Sequence, residues 1–300
     1  MGNEISNLEA LEAEAIHLIR EVLTELERPA LLFSGGKDSA VLLHLAMLAV
    51  KPKKLWIPIV HIDTGHNFEE VISYRDKIIS QFDLNLIIGS VQDSIDRKTA
   101  VEEPGNLSRN KLQTVTLLET IEDYKFDALF GGARRDEEKA RAKERFLSHR
   151  DAFGQWNPRG QKPEIWHLYN TKHHTDEHFR VFPLSNWTEL DVWKYIKLRN
   201  IELPTIYYSH QREVVRRNSM LVAVTDLTPK LEDEESFVAT VRYRTVGDKT
   251  CTAAVESLSS NVDEIIEETQ TSRISERGAT RVDDKFSEAA MEDRKKEGYF

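Results

Sequence analysis

Short apolar runs at residues 30–33, 55–63, 85–91 and 128–133 alternate with stretches long enough to be helices, and this alternation limits the fold more than any other feature of the chain. Strands joined by helix-length connections pair in parallel through right-handed crossovers, which lay helices on both faces of the sheet. The expectation is an α/β fold with a mainly parallel, twisted sheet and helices on both faces. Leu8, Leu11, Ala15, Leu18, Ile19, Val22 and Leu26 recur at steps of three and four and predict a first helix over 8–27. Further helices are expected at 38–50, 68–82, 110–124, 188–198 and 262–270, the fourth of these opened by an approximate capping box, Thr188 with Asp191. Strands are also expected at 221–224 and 237–246, and ordered structure at 165–169 and 179–184. After Phe146, Gly154, Asn157, Pro158, Gly160 and Pro163 predict a long irregular loop, of a kind that often serves as a lid or substrate loop.

In open α/β sheets ligands sit at the carboxyl ends of the strands, so the polar clusters at Ser34, Asp63 and Arg134 are expected to share one rim. The first of them, Ser34-Gly35-Gly36-Lys37-Asp38-Ser39, joins an apolar strand to a helix. Two glycines let the backbone approach a ligand and turn its N–H groups inward, and the helix start adds the positive end of its dipole. Lys37 supplies a full charge and Ser34 and Ser39 supply hydroxyls, which together make a phosphate cradle. The sequence contains neither G-x-x-x-x-G-K-[ST] nor G-x-G-x-x-G, so the cradle is neither a Walker A loop nor a dinucleotide turn.

Composition bounds the partners. Of 300 residues, 40% are hydrophobic, enough for a sizeable core, and 41 Lys and Arg against 51 Asp and Glu leave a net charge of −10. That balance disfavours nucleic acid and makes any anion site a local construction. Cys251 is the single cysteine, which excludes an intrachain disulfide and a Cys-based zinc cluster. The longest apolar stretch, 40–50, contains His44 and is too short to cross a bilayer. A cytoplasmic protein with no secretory signal and no membrane partner is expected.

The loop 34–39 resembles the pyrophosphate-binding loop of the PP-loop ATP pyrophosphatases, which cleave ATP between its α and β phosphates. Later stretches narrow the likeness: residues 61–65 (His-Ile-Asp-Thr-Gly), 131–137 (Gly-Gly-Ala-Arg-Arg-Asp-Glu), 181–193 (Val-Phe-Pro-Leu-Ser-Asn-Trp-Thr-Glu-Leu-Asp-Val-Trp), 242–247 (Arg-Tyr-Arg-Thr-Val-Gly) and 296–300 (Lys-Glu-Gly-Tyr-Phe) closely resemble the small-subunit family of bacterial sulfate adenylyltransferases. That resemblance implies a PP-loop, adenine nucleotide α-hydrolase-like catalytic domain over 1–230 and a C-terminal extension over 231–300 that completes the site or contacts a partner. It further implies the reaction of ATP with sulfate to give adenosine 5′-phosphosulfate and pyrophosphate, Mg²⁺ with the ATP, and a larger GTPase subunit as partner. Zinc, flavin and nicotinamide are not expected.

Given that reaction, position and charge must supply the catalysis, because sulfate is already a dianion and has no proton to lose. Lys37, Arg134 and Arg135 are the expected catalytic residues, the two arginines holding sulfate or α-phosphate oxygens through their planar forks. The residues expected to bind ATP are Ser34, Gly35, Gly36, Lys37, Asp38, Ser39 and Asp63, with Asp63 read equally well as a ribose ligand or a turn cap. Arg242 and Arg244 are expected to form a basic strand face that binds sulfate or another substrate anion, or the acidic surface of a partner, and Arg273 and Arg277 to close over the same site. Lys139, Arg141 and Arg145 read as solvated charge. His173, His174, Asp176 and His178 invite a metal reading, but loop histidines are more often exposed than ligating. Trp187, Leu190 and Trp193 read as core. Three alternatives remain: a phosphosulfate reductase, whose Glu-Cys-Gly motif is missing here, a flavin-nucleotide synthetase, and a non-catalytic regulatory subunit that kept the fold.

Overall fold

The computed structural model describes residues 6–103, 108–137, 144–156, 161 and 163–271. Strands β1 (Pro29–Leu32), β2 (Ile59–Asp63), β3 (Leu86–Ser90), β4 (Ala128–Phe130), β5 (Leu147–Arg150) and β6 (His178–Val181) form one sheet in the order β3-β2-β1-β4-β6-β5. All neighbours pair in parallel except β5, which closes the β6 edge antiparallel.

Alternation along the strands divides the core in two. Ala30, Val60 and Leu129 point to one face and meet Ile121 and Phe126 beneath helix α5 (Leu112–Tyr124). Leu31, Ile59, Phe130 and Val181 point to the other and join the larger core, packed by α1 (Asn7–Glu25) and α2 (Lys37–Val50). Helices therefore cover both faces, as the alternation predicted. Helices α3 (Glu69–Phe82), α4 (Val91–Asp96), α6 (Glu189–Arg199) and α7 (Val262–Thr271) complete the helical set. The Thr188 box is real: the Asp191 amide donates to Thr188 Oγ1 (3.1 Å), and the Asp191 carboxylate accepts from the Thr188 amide (3.0 Å). Trp187 and Trp193 are fully buried, each edge-on to a tyrosine, Tyr195 and Tyr207.

A second, antiparallel sheet in the order β10-β9-β7-β8 lies C-terminal to the first: β7 (His210–Arg217), β8 (Met220–Ala223), β9 (Ser236–Arg242) and β10 (Val255–Glu256). It joins strands from both sides of residue 230. Strand β7 reads His-Gln-Arg-Glu-Val-Val-Arg-Arg, too polar to stand out in sequence, and it forms because β8 and β9 pair with its two edges. Likewise β5, Leu-Ser-His-Arg, lies inside the stretch expected to be one irregular loop. Residues 165–169 hold only a turn of 3₁₀ helix, Ile165–His167. The strand expected at 237–246 ends at Arg242, and α4 was not expected at all.

Candidate active site

The loop after β1 turns because Gly35 takes φ +75°, a conformation that suits glycine. A Cβ there would also stand 2.7 Å from Val71 Cγ1. The Gly36 amide donates to Ser34 Oγ (3.3 Å), and Ser39 Oγ donates to the Gly36 carbonyl (2.8 Å). Ser34 itself stays exposed at the lip. The exit of β4 packs onto this loop: a Cβ on Gly132 would lie 3.1 Å from the Asp38 main chain. The two Gly-Gly steps of the sequence are thus two sides of one close backbone approach.

Between them opens a cavity of about 310 Å³. Its walls are Ser34, Gly36, Asp38 and Ser39 from the loop, His61, Ile62 and Asn67 from the end of β2, Asn110, Gln113 and Thr114 from the start of α5, and Gly131 to Ala133 with Glu137 after β4. Arg180 and Phe182 close it from β6, and residues 245–248 close it from the C-terminal side. That last stretch is pinned by Thr64 Oγ1, which donates to the Asp248 carboxylate (2.6 Å), and by the Lys249 amide donating to the His66 carbonyl (2.9 Å). A larger pocket of about 710 Å³ lies away from the loop, between Phe68, Tyr74, Glu202 and Arg212.

The structure brings most of the expected residues to one rim but gives several of them other work. The Lys37 side chain is buried, its amide donating to the Tyr207 hydroxyl (2.9 Å), its Nζ to Asp38 (3.0 Å) and to the Arg244 carbonyl (3.3 Å). Arg134, 1% exposed, donates through Nε to the other Asp38 oxygen (2.7 Å). Burial disfavours the Asp38 carboxylate, yet the Arg134 and Lys37 charges outweigh it and hold its pKa below the usual value. Arg135 does not line the cavity. Its guanidinium donates to the Glu144 carbonyl (3.0 Å) and lies over the Phe146 ring at 5.0 Å. Asp63 acts as a turn cap, accepting from the Gly65 amide (2.7 Å) and from Asn67 (3.2 Å).

Arg242 and Arg244 do not make the exposed basic face expected of them, since both are buried and each meets a carboxylate: Arg242 with Glu268 (2.7 Å), Arg244 with Glu189 (2.6 Å). Arg273 and Arg277 lie outside the described residues. The histidines divide: His178 is buried on β6, His174 is exposed, and His173 packs edge-on to Phe179.

The phosphoadenosine phosphosulfate reductase domain family matches residues 28–254. Over 297 residues the chain is 59% identical to proteins of Mycobacterium sp. (strain KMS) and Mycobacterium tuberculosis (strain ATCC 25618 / H37Rv), each named sulfate adenylyltransferase subunit 2, with 99% of this chain and 96% of the relative covered. The chain belongs to the sulfate adenylyltransferase subunit 2 family. Among solved structures, a Candida glabrata FMN adenylyltransferase in complex with ATP is similar at 15% identity, with a TM-score of 0.48 over 93% of this chain and 91% of that one. That likeness of overall shape is too slight to bear on chemistry.

In this member of the sulfate adenylyltransferase subunit 2 family, sequence reasoning missed two wall residues. His61 is buried, its Nδ1 bonded to the Phe33 carbonyl (2.8 Å), and burial lowers its pKa, so the ring is neutral with Nδ1–H donating. Nε2 is then a lone-pair acceptor, and it has no partner among the described residues. Arg180, 1% exposed, sits in a strand whose apolar alternation offered no reason to single it out.

Proposed function

We propose that this chain transfers the adenylyl group of ATP to sulfate, giving adenosine 5′-phosphosulfate and pyrophosphate, as the first step of cytoplasmic sulfate assimilation toward cysteine. The observation that carries the reading is 59% identity over 297 residues to relatives named sulfate adenylyltransferase subunit 2, together with an unbroken loop at 34–39 on the wall of a cavity. A sulfate oxygen attacks the α-phosphorus, the α–β phosphoanhydride bond breaks, and pyrophosphate leaves with the bonding electrons. No base is required, and the enzyme's work is alignment and charge.

The turn at Gly35 and Gly36 and the start of α2 offer hydrogen bonds and a positive dipole end to the departing pyrophosphate. Lys37 and Arg134 act through Asp38: from opposite sides they fix the first turn of α2 against the exit of β4. Asp38 and Glu137 are carboxylates on the wall whose oxygens suit the Mg²⁺ that accompanies ATP, and that ion, when bound, neutralises phosphate charge. The residues after 231 complete the site through 245–248. A phosphosulfate bond is a high-energy product, so the reaction is coupled to GTP hydrolysis on a larger partner subunit.

The test is pyrophosphate release from ATP with and without sulfate, by the chain alone and with the GTPase subunit. Sulfate-dependent release that rises with the partner and GTP is the expected result. Release indifferent to sulfate in both conditions would overturn the reading.

A further inference from the structure

Among the described residues, each cation predicted to bind substrate is already matched by a carboxylate or a carbonyl: Lys37 and Arg134 by Asp38, Arg244 by Glu189, Arg242 by Glu268, Arg135 by the Glu144 carbonyl. Arg180 differs. It is 1% exposed, and its Nε, Nη1 and Nη2 are all buried without a hydrogen-bond partner among the described residues. Among the described residues it makes no ion pair. A buried charge without a partner is strongly unfavourable, and a fold keeps one where a ligand completes it.

The surroundings specify the ligand. Arg180 lines the cavity, level with Leu129 on one side and Ser148 on the other. Buried Arg150, on the same sheet face, is paired through Nη2 with Glu144 at 3.2 Å, so that carboxylate has a prior cation. Burial first, and the neighbouring Arg150 charge second, push the Arg180 guanidinium down to about 9, still protonated at neutral pH. The Ser148 hydroxyl, directly opposite in register, also lacks a partner. These are unmet donors and an unmet positive charge, and both call for an anion.

We propose that Arg180 is the receptor for the sulfate dianion. The assignment rests on the adenylyl-transfer reading above and names the residue that selects its second substrate. Arg180 is on β6, two strands from the β1 loop, on the order of 10 Å across the sheet at strand spacing. The exit of β4 lies between them. In-line displacement needs the nucleophile opposite the departing pyrophosphate, and a group across the cavity from the loop meets that demand. A planar fork offering paired N–H donors fits two oxygens of a tetrahedral oxyanion.

The experiment uses the full chain with its GTPase partner and compares the unaltered enzyme with Arg180→Gln and Arg180→Lys. Initial rates of pyrophosphate release are measured against sulfate and, separately, against ATP. In Arg180→Gln the KM for sulfate should rise roughly 10- to 100-fold, the loss expected for charge-assisted hydrogen bonds, while the KM for ATP stays within about twofold. Arg180→Lys should recover part of the sulfate affinity. Thermal melting in sodium sulfate against sodium chloride at equal ionic strength supplies a readout without turnover: the sulfate increment should shrink in Arg180→Gln, whose melting temperature in chloride should not fall, because an uncompensated charge has been removed. An unchanged sulfate KM in Arg180→Gln overturns the proposal and leaves the sulfate-dependent activity standing. A rise confined to the KM for ATP also overturns it, by placing the guanidinium on the α-phosphate. Absence of sulfate dependence in the unaltered enzyme removes the reading beneath it, and this assignment with it.

Discussion

Gly35 and Gly132 show how a phosphate loop is written at single positions. Gly35 combines a positive φ with a Cβ position 2.7 Å from Val71, so Gly35→Ala faces backbone strain and a clash together. We expect it to destabilise the fold by about 1–3 kcal/mol, read by denaturant melts, and to weaken ATP binding, read by nucleotide titration. Lys37 was legible from the sequence as a cation of the loop, but its burial beneath the Arg244 carbonyl was not, because that contact joins residues 207 positions apart. Lys37→Met leaves the Asp38 and Glu189 carboxylates with less positive charge around them. Because Lys37 fixes the first turn of α2 through Asp38, its loss should misplace the loop and lower kcat/KM by roughly 100-fold, read by initial rates of pyrophosphate release. Arg180 had no signal beyond being a charged residue inside an apolar strand, and only packing shows that its charge is unmet.

At the scale of elements, legibility followed local chemistry. Helix α6 was foreseen with its cap, because Thr188 and Asp191 satisfy its first amides from within four residues. Thr188→Ala should cost about 1 kcal/mol, measured by chemical denaturation, with activity retained in the folded fraction. Strands β1, β2 and β4 were legible for a similar reason, since their apolar runs are largely buried on both faces. The polar strands β5 and β7 were not, because edge pairing and long-range partners define them. The tie between β9 and α7 belongs to the same class. Arg242 is fully buried and meets Glu268, which also accepts from Ser257 and from Ser259 (2.7 Å). Glu268→Ala strands a buried guanidinium and should destabilise the protein by about 3–5 kcal/mol. Arg242→Met with Glu268→Leu should recover much of that loss, and a loss as large in the double variant would show that packing, not charge, sets the cost.

Across the whole molecule, buried histidines couple stability to pH. His178 is held well below its ordinary value of 6.5, by burial first and then by the Arg180 and Arg150 charges. His61, His44 and His66 are lowered as well, each by burial first. Unfolded, these rings take up protons near pH 6.5, whereas folded they resist. The unfolded state therefore binds more protons, and stability falls as the pH drops below about 6.5. Melting temperature should decline between about pH 7 and pH 5, and His178→Gln should flatten the slope. Asp38 and Glu189, lowered in the fold, add a loss of the same sign nearer to pH 4. The sequence foretold one rim at the carboxyl ends of the strands, and the cavity lies there. The resemblance implied that the stretch after 231 completes the site or contacts a partner, but that residues 245–248, between β9 and β10, form part of the wall was not legible, because nothing local ties Asp248 to Thr64.

The central claim, adenylyl transfer to sulfate at the 34–39 loop, is tested most directly by following both labels through one turnover. The chain, its GTPase partner, Mg²⁺ and GTP are incubated with ATP labelled at the α-phosphorus and with ³⁵S-sulfate, and the products are separated. The account predicts a single product carrying both labels in equal amount, with unlabelled pyrophosphate released alongside. Label from ATP recovered only as AMP or ADP, with all of the ³⁵S remaining as free sulfate, would contradict it.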